Sequence, residues 1–286
     1  MVLFMRRKAY AKITLYLEVK DRIDGLLQFR NIIVPIDVFD MVYLDVHETM
    51  HIETNKSYLP NDRRNTVYKA IELMKEKYNI KDNFKVSIVK NIPAQSGLGG
   101  GSADAACVIN MLNEKYQLNM SRQDLIDIAS QIDEDTAFCL FNQPALVEGY
   151  GEIVTPIPFN AEFYYVIVKP GYGVSTKSFL KKYSDFIDQD VSRKKLEKAM
   201  AAGNPEEIMP LTHNDFQITV TKKRKDLNKV VNQLKSLGLE GVCMSGSGTS
   251  IYGFTTDKEK AIKIYEKLVF KYPFLKYGKI SGKQLE

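Results

Sequence analysis

The sequence contains no tryptophan, only three cysteines and only three histidines. The cysteines, Cys107, Cys139 and Cys243, lie far apart in apolar surroundings, which is typical of small core residues in a reduced protein. The histidines have no zinc-ligand spacing, because no second pair of ligands accompanies them. This scarcity argues against a disulfide-stapled secreted domain and against a structural zinc site.

Long apolar segments are absent as well. No run approaches the roughly 20 apolar residues that a membrane-spanning helix needs, and the first residues contain no apolar stretch of signal-peptide length. The sequence therefore predicts a cytoplasmic protein without a membrane partner.

What the sequence does contain is an ordinary globular composition. Of its 286 residues, 44% are hydrophobic and 26% are charged, and the length suits one large domain or two closely packed ones. The net charge of +5 suits an anionic ligand. The densest basic run, at 222–225, has no interleaved aromatic residues and is typical of a solvated helix, so we predict no nucleic-acid partner.

The most informative segment is the glycine-rich stretch from Pro93 to Ala106. It follows an apolar-alternating run at 84–89 that predicts a strand, and it leads into an alanine-rich run at 103–112 that predicts a helix. Backbone N–H groups of such a turn, together with a helix N-terminus, form a cradle for phosphate. The chain lacks Gly-Lys-Ser/Thr, which excludes a Walker-type loop, and Ser102 replaces the third glycine of a dinucleotide fingerprint. A phosphate cradle explains this order of strand, glycines and helix better than a plain turn does.

Other local patterns predict further elements. Residues 8–19 predict a strand, and apolar positions spaced by three and four residues between Asn65 and Tyr78 predict an amphipathic helix. Ser121 and Thr256 each begin a capping-box pattern, so each is expected to cap a helix. Thr176 is expected to cap another.

Three segments together resemble the signatures of the GHMP small-molecule kinases. Tyr10–Leu15 matches the N-terminal signature at four of six places, Lys90–Ala106 is similar to the second signature, and Gly241–Gly253 is similar to the third. The three occur in the family's order across nearly the whole chain. The resemblance implies an α+β, two-lobed fold, with a ribosomal protein S5 domain 2-like lobe at 1–155 and a ferredoxin-like lobe at 156–286.

The resemblance also implies roles for particular residues. Asp135 would take the proton from the substrate hydroxyl, and Lys12 would orient Asp135 and stabilise developing charge. ATP and Mg²⁺ are the implied cofactors, with the Ser102 hydroxyl near the metal. The residues implied to bind the nucleotide are Asn65, Pro93, Gly97, Leu98, Gly99, Gly100, Gly101 and Ser102. The residues implied on the substrate side are Thr14, Leu26, Leu27, Gly246 and Ser247.

The second signature is most similar to a branch of the family that acts in the non-mevalonate isoprenoid pathway and phosphorylates a cytidyl alcohol at its 2-hydroxyl. This similarity implies a small anionic alcohol as substrate, in a monomer or a homodimer. Leu26 and Leu27 stand where that branch has tyrosine and histidine, which leaves open a GHMP kinase for a different small alcohol. The acidic segment Asp133-Glu134-Asp135 departs from the family's frame, which leaves open a non-catalytic nucleotide-binding descendant.

Overall fold

The structure is a computed structural model and describes residues 5–173 and 190–285. Within those ranges no helix combines the length and the apolar character that crossing a membrane requires. Thr176, the expected helix cap, lies outside the described residues.

A long antiparallel hairpin organises the N-terminal part of the chain. Its strands are β1 (Met5–Ile23) and β2 (Leu26–His47). Asp24 and Gly25 form the turn with φ of 49° and 81°, and an Asp-Gly pair favours these positive φ values in a two-residue hairpin loop. The strand predicted at 8–19 is confirmed as the central part of β1.

The first sheet is built around this hairpin. Its path is β3-β4-β2-β1-β8, and β5 pairs with both β2 and β6. The added strands are β3 (His51–Thr54), β4 (Asn83–Val89), β5 (Ala145–Gly149), β6 (Ile153–Pro156) and β8 (His213–Asn214).

Four helices pack against the first sheet, and their apolar faces fill one hydrophobic core with it. They are α1 (Thr66–Tyr78), α2 (Gly100–Lys115), α3 (Arg122–Ala129) and α4 (Thr136–Cys139). Helix α2 is buried along most of its length, because its alanines and small apolar residues let it lie close to both the sheet and α1.

A second, fully antiparallel sheet has the order β11-β7-β10-β9. Its strands are β7 (Glu162–Lys169), β9 (Glu240–Met244), β10 (Ile251–Thr255) and β11 (Phe274–Ser281). The helices of this part of the chain are α5 (Asp190–Ala202), α6 (Pro205–Ile208), α7 (Asp215–Lys223), α8 (Lys225–Ser236) and α9 (Lys258–Leu268), with a 3₁₀ turn at Met209–Leu211. The lobe boundary between residues 155 and 156 stays a prediction, since β8 joins the first sheet from far beyond that point.

The helix caps test the local sequence patterns directly. Asn65 caps α1, where its side chain accepts a hydrogen bond from the Val67 N–H, and Ser121 caps α3 in the same way. The prediction at Thr256 is wrong, because Asp257 caps α9 by accepting from the Lys260 N–H. A carboxylate one residue later satisfies the same helix end and places a negative charge at the positive end of the helix dipole.

Candidate active site

The segment at 93–102, called the glycine loop below, follows β4 and includes the first three residues of α2. Its Gly99 has φ of 70° and precedes the first residue of α2, so no side chain caps that helix. The first N–H groups of an α-helix have no partner within the helix, and they attract anions. The loop and the start of α1 line a cleft of about 350 Å³, the glycine-loop cleft.

Most of the residues predicted to bind the nucleotide line this cleft. They are Asn65, Pro93, Gly97, Gly99, Gly100, Gly101 and Ser102. Leu98 differs, because its side chain is fully buried in the core while its carbonyl oxygen accepts a hydrogen bond from the Lys12 N–H at 3.0 Å. The leucine thus anchors the loop to β1.

The first turn of α1 forms the opposite wall of the cleft. Asn65 donates from Nδ2 to the Pro60 carbonyl at 2.7 Å, which fixes the segment leading into the helix. Thr66 Oγ1 donates to the Gly101 carbonyl at 2.8 Å and ties the start of α1 to the start of α2. These bonds hold the cleft open between two helix N-termini.

The structure brings Lys12 and Asp135 together beside the glycine loop. Lys12 Nζ lies 3.1 Å from Asp135 Oδ2, and Lys12 is buried while 26% of the Asp135 side chain is exposed. The same ammonium donates to Thr14 Oγ1 at 3.2 Å. A cation, a carboxylate open to solvent and a hydroxyl therefore meet at one point, although Asp135 follows the other two residues by 121 positions or more.

Asp133 shapes the loop that carries Asp135. One of its carboxylate oxygens accepts from the Asp135 N–H at 3.1 Å, from the Thr136 N–H at 2.9 Å and from Thr136 Oγ1 at 2.7 Å. The other oxygen accepts from Ser102 Oγ at 2.9 Å. Burial raises the pKa of Asp133, and the Thr136 hydrogen bond opposes that rise. Asp133 thus joins the glycine loop to the loop of Asp135.

The third signature, from the second sheet, braces the glycine loop. Ser245 Oγ donates to the Gly97 carbonyl at 2.8 Å and accepts from the Thr14 N–H at 3.2 Å. Asn214 Nδ2 donates to the carbonyls of Met244 and Gly246, both at 2.7 Å. All three signatures therefore meet through hydrogen bonds.

Replacing Gly97 by alanine is expected to weaken this junction. Gly97 has φ of +75°, and a Cβ added there would overlap the Ser245 carbonyl oxygen. We expect the variant to lose about 2 kcal/mol or more of unfolding free energy and to raise the KM for ATP about tenfold. Chemical denaturation and steady-state kinetics with varied ATP measure the two effects.

Gly25→Ala is the matched control. Gly25 also has positive φ, at +81°, but no atom of the described residues lies within 4 Å of an added Cβ. This control should lose about 1 kcal/mol and keep the ATP KM of the wild type. Equal losses in the two variants would show that the contact between Gly97 and Ser245 does not position the loop.

A second cleft, the hairpin cleft, lies between the hairpin and the third signature. Three residues, Gly97, Asp135 and Ser247, line both clefts, so the two spaces meet at the carboxylate. The residues lining the hairpin cleft are Lys12, Thr14, Leu17, Phe29, Asn31, Gly97, Glu134, Asp135, Val147, Gly151, Phe216, Gly246 and Ser247.

The two leucines predicted on the substrate side lie elsewhere. Leu27 is buried in a hydrophobic cluster with Leu17 and Phe216, while 47% of Leu26 is exposed beside the hairpin turn. Neither leucine belongs to the described residues that line the hairpin cleft. The structure does bring Thr14, Gly246 and Ser247 into that cleft.

A buried ionic triad lies beneath the glycine loop. Lys90 Nζ donates to the carboxylates of Asp40 and Asp104, and it lies 3.3 Å from the Gly100 carbonyl oxygen. Asp40 Oδ1 also accepts from the N–H groups of Asn91 and Ile92, at 2.5 and 2.7 Å. Burial, opposed by Lys90 and reinforced by Asp40, raises the pKa of Asp104 to about 8. Burial alone would lower the pKa of Lys90, but the two carboxylates raise it.

Sequence reasoning did not identify Phe29, Asn31 or Phe216 as cleft residues. Nothing in their local patterns distinguishes them, because only the pairing of β1 with β2 and the packing of α7 bring them together. The role of Asp133 in holding the loop was also missed, although its position two residues before Asp135 was a usable signal.

Comparison with known families identifies the chain. Residues 65–149 match the GHMP kinases N terminal domain, and residues 196–273 match the GHMP kinases C terminal family. The chain belongs to the GHMP kinase family. The expectation drawn from the three signatures, including the two-lobed α+β fold, is confirmed.

Relatives of this GHMP kinase extend over nearly the whole chain. It is 37% identical over 274 residues to the 4-diphosphocytidyl-2-C-methyl-D-erythritol kinase of Clostridium kluyveri, which covers 93% of this chain and 96% of the relative. It is 32% identical over 272 residues to the enzyme of the same name from Limosilactobacillus fermentum, covering 93% and 95%.

Solved structures agree. A crystal structure of 4-(cytidine 5'-diphospho)-2C-methyl-D-erythritol kinase superposes with a TM-score of 0.81 at 26% identity, covering 98% of this chain and 100% of the other. L. major mevalonate kinase in complex with R-mevalonate has a TM-score of 0.70 at 17% identity, covering 98% and 97%, and shows the shared fold alone.

Proposed function

We propose that this GHMP kinase transfers the γ-phosphoryl group of ATP to the 2-hydroxyl of 4-diphosphocytidyl-2-C-methyl-D-erythritol. The observation that carries the proposal is the meeting of two clefts at Asp135, with Lys12 Nζ 3.1 Å from its carboxylate. One cleft offers helix N–H groups to a triphosphate, and the other, of about 60 Å³, places Lys12, Thr14 and Asp135 where the reacting hydroxyl of an alcohol would lie. The names of the relatives support the choice of alcohol.

The geometry supports a direct transfer. The glycine loop and the first turn of α2 hold the phosphates, and positioning with charge stabilisation supplies most of the catalysis. Asp135 accepts the proton of the substrate hydroxyl, whose oxygen forms a bond to the γ-phosphorus while the bond from that phosphorus to the bridging oxygen breaks. The phosphorylated alcohol and ADP are the products, and Lys12 stabilises the negative charge that shifts between them.

The donor atoms at the site fit Mg²⁺ that is carried in with ATP. This hard ion binds one or two carboxylates, phosphate oxygens and several waters, and it would neutralise part of the charge of the ATP phosphates. The Ser102 hydroxyl and the carboxylate of Asp133, 2.9 Å apart, are oxygen donors beside the glycine loop and would hold it. In the part of the chain that the structure describes, no group of three or more His, Cys, Asp or Glu side chains could hold a metal ion, so the phosphates would supply the remaining ligands.

The same proposal places the enzyme in the cytoplasm as a monomer or a homodimer. The support for the compartment is chemical, because Cys107, Cys139 and Cys243 are all buried free thiols, as expected in a reducing environment.

Incubation of the purified protein with ATP, Mg²⁺ and a panel of alcohols tests the function. We expect the cytidyl alcohol to gain one phosphoryl group by mass spectrometry, with one ADP formed for each product. Homoserine and mevalonate serve as matched family alcohols, and we expect neither to react. Turnover of either one without turnover of the cytidyl alcohol would overturn the proposed substrate.

A different alcohol is the second candidate. Leu26 and Leu27 stand where the cytidyl branch has tyrosine and histidine, and neither leucine is among the described residues that line the hairpin cleft, so no tyrosine and histidine pair at these positions recognises a base there. If the panel identifies another substrate, the proposed phosphoryl transfer at Lys12 and Asp135 is retained and the cytidyl alcohol is rejected as the substrate. ATP binding without phosphorylation of any alcohol would instead favour a non-catalytic descendant.

A further inference from the structure

Asn31 is a polar residue in an otherwise apolar part of the hairpin cleft. It lies on β2, where it pairs with Leu17 of β1 on one side and with Val147 of β5 on the other. All three residues line the cleft. The side-chain amide of Asn31 therefore lies between two apolar cross-strand neighbours in the wall of the cleft.

A register shift in β1 brings Asn31 to the same face as the residues of the reaction centre. Successive side chains of a regular strand alternate between faces, so Thr14 and Leu17 would point to opposite faces. The shift between Thr14 and Tyr16 adds one residue to β1 and reverses that alternation. Leu17 and its partner Asn31 thereby join Thr14 and Lys12 along one wall.

The side-chain oxygen of Asn31 lacks a hydrogen-bond donor within the described residues. Oδ1 is buried and accepts no hydrogen bond from residues 5–173 or 190–285. Leaving a buried acceptor unpaired costs about 1–3 kcal/mol, and most buried polar groups in native proteins have a partner. Because Asn31 lines the cleft, a molecule bound there can bring the missing donor.

The position along the hairpin indicates which part of a substrate reaches Asn31. Five residues of β1 separate Lys12 from Leu17, which spans about 15 Å in an extended strand. Phe29 lies two residues from Asn31 on the same strand, and its ring packs edge-to-face on Phe216 with centroids 6.2 Å apart. A group at this end of the cleft is remote from the transferred hydroxyl and faces aromatic edges.

We propose that Asn31 Oδ1 accepts a hydrogen bond from an N–H or O–H group at the far end of the acceptor substrate and so determines specificity. This inference deepens the proposed function and rests on it. An amino group on a flat heterocycle, set against Phe29 and Phe216, is a donor of the right chemistry. Asn31 supplies the polar recognition that Leu26 and Leu27 cannot.

The test compares Asn31→Leu with the wild type, using 4-diphosphocytidyl-2-C-methyl-D-erythritol as the probe. Losing the hydrogen bond should raise the KM for the alcohol about tenfold, with kcat and the KM for ATP nearly unchanged. The thermal midpoint of the free protein should not fall, because leucine removes an unpaired polar atom. The rise in midpoint that the alcohol causes in the wild type should shrink in the variant.

Two further variants separate recognition from structure. Asn31→Asp keeps acceptor oxygens and has no N–H, so it should retain an alcohol KM within about threefold of the wild type. Asn83 on β4 is the matched control, since its amide accepts from Lys75 Nζ at 2.6 Å and donates to the Glu48 carbonyl at 2.9 Å. Asn83→Leu should lower the thermal midpoint and leave the alcohol KM unchanged.

The outcomes are distinct. Wild-type turnover with an unchanged alcohol KM in Asn31→Leu overturns the inference and leaves the proposed function intact. A lower thermal midpoint in Asn31→Leu, as in Asn83→Leu, also overturns it by showing a structural role. A wild-type protein that neither binds nor phosphorylates the probe overturns the proposed function and, with it, the inference.

Discussion

Asp135→Asn is expected to lower kcat about 10³-fold while the dissociation constant for ATP changes less than about twofold. Asparagine has the shape of aspartate but cannot accept a proton, so the substrate hydroxyl loses its base. The side chain is partly exposed, and its backbone N–H would still bond to Asp133, so the loop should keep its form. The loss should therefore fall on the transfer step alone.

Single-turnover product formation and calorimetric titration with a non-hydrolysable ATP analogue measure the two quantities. Asp127→Asn is the matched control, because Asp127 is an exposed acid of α3 whose carboxylate contacts only Gln123 among the hydrogen bonds of the described residues. It should behave as the wild type. An Asp135→Asn enzyme with full kcat would remove Asp135 from the mechanism.

The largest effect on stability is expected from Lys90→Met. Methionine fills much of the space of the lysine stem, but it leaves the Asp40 carboxylate buried without a cation and the Asp104 carboxyl group, whose pKa is raised to about 8, without its hydrogen-bond donor. Breaking a buried ion pair by removing one partner typically costs about 3–5 kcal/mol. We expect a loss of that order in unfolding free energy, measured by urea denaturation, together with weaker ATP binding because Lys90 also approaches Gly100.

Lys85→Met provides the control for Lys90. Lys85 lies on the neighbouring strand β4 and pairs with Glu53 at 3.1 Å, but both side chains are exposed. Exposed pairs contribute about 0–1 kcal/mol, so this variant should differ little from the wild type. A similar small loss in both variants would show that the triad does not stabilise the fold.

The pH dependence of the Lys90→Met effect follows from the raised pKa of Asp104. In the wild type the folded state holds the Asp104 proton up to about pH 8, so this group contributes stability at low pH that is lost as the pH rises to that value. Lys90 lowers the pKa of Asp104, so removing Lys90 must raise that pKa further. The folded state of the variant therefore continues to lose stability as the pH rises above about 8. The difference between variant and wild type should therefore grow as the pH passes about 8. A difference that shrinks there would contradict this assignment.

The sequence was most informative where chemistry and local structure coincide. The glycine loop was predicted from its strand, glycines and helix, and the structure places β4 and α2 on either side of it. Ser121 was predicted as a cap from a pattern that acts within three residues. Such features depend on neighbours in the chain, so a single sequence carries them.

The sequence was least informative where the position of a residue depends on pairing or packing with segments far away in the chain. No local pattern specifies the ends of α5, α6 and α7, because their apolar residues pack into hydrophobic clusters built by other segments. The position of Leu27 follows from the hairpin register, and no local pattern contains that register. For the same reason Asn31 became visible as a cleft residue only when Leu17 and Val147 were placed beside it.

The central claim concerns the junction of the two clefts at Asp135. A crystal structure with a non-hydrolysable ATP analogue, Mg²⁺ and the acceptor alcohol tests it most directly. We predict that the γ-phosphorus lies about 3–3.5 Å from the substrate hydroxyl oxygen, and that this oxygen lies within about 3 Å of the Asp135 carboxylate. A triphosphate bound away from the glycine loop, or an alcohol whose hydroxyl contacts neither Asp135 nor Lys12, would contradict the account.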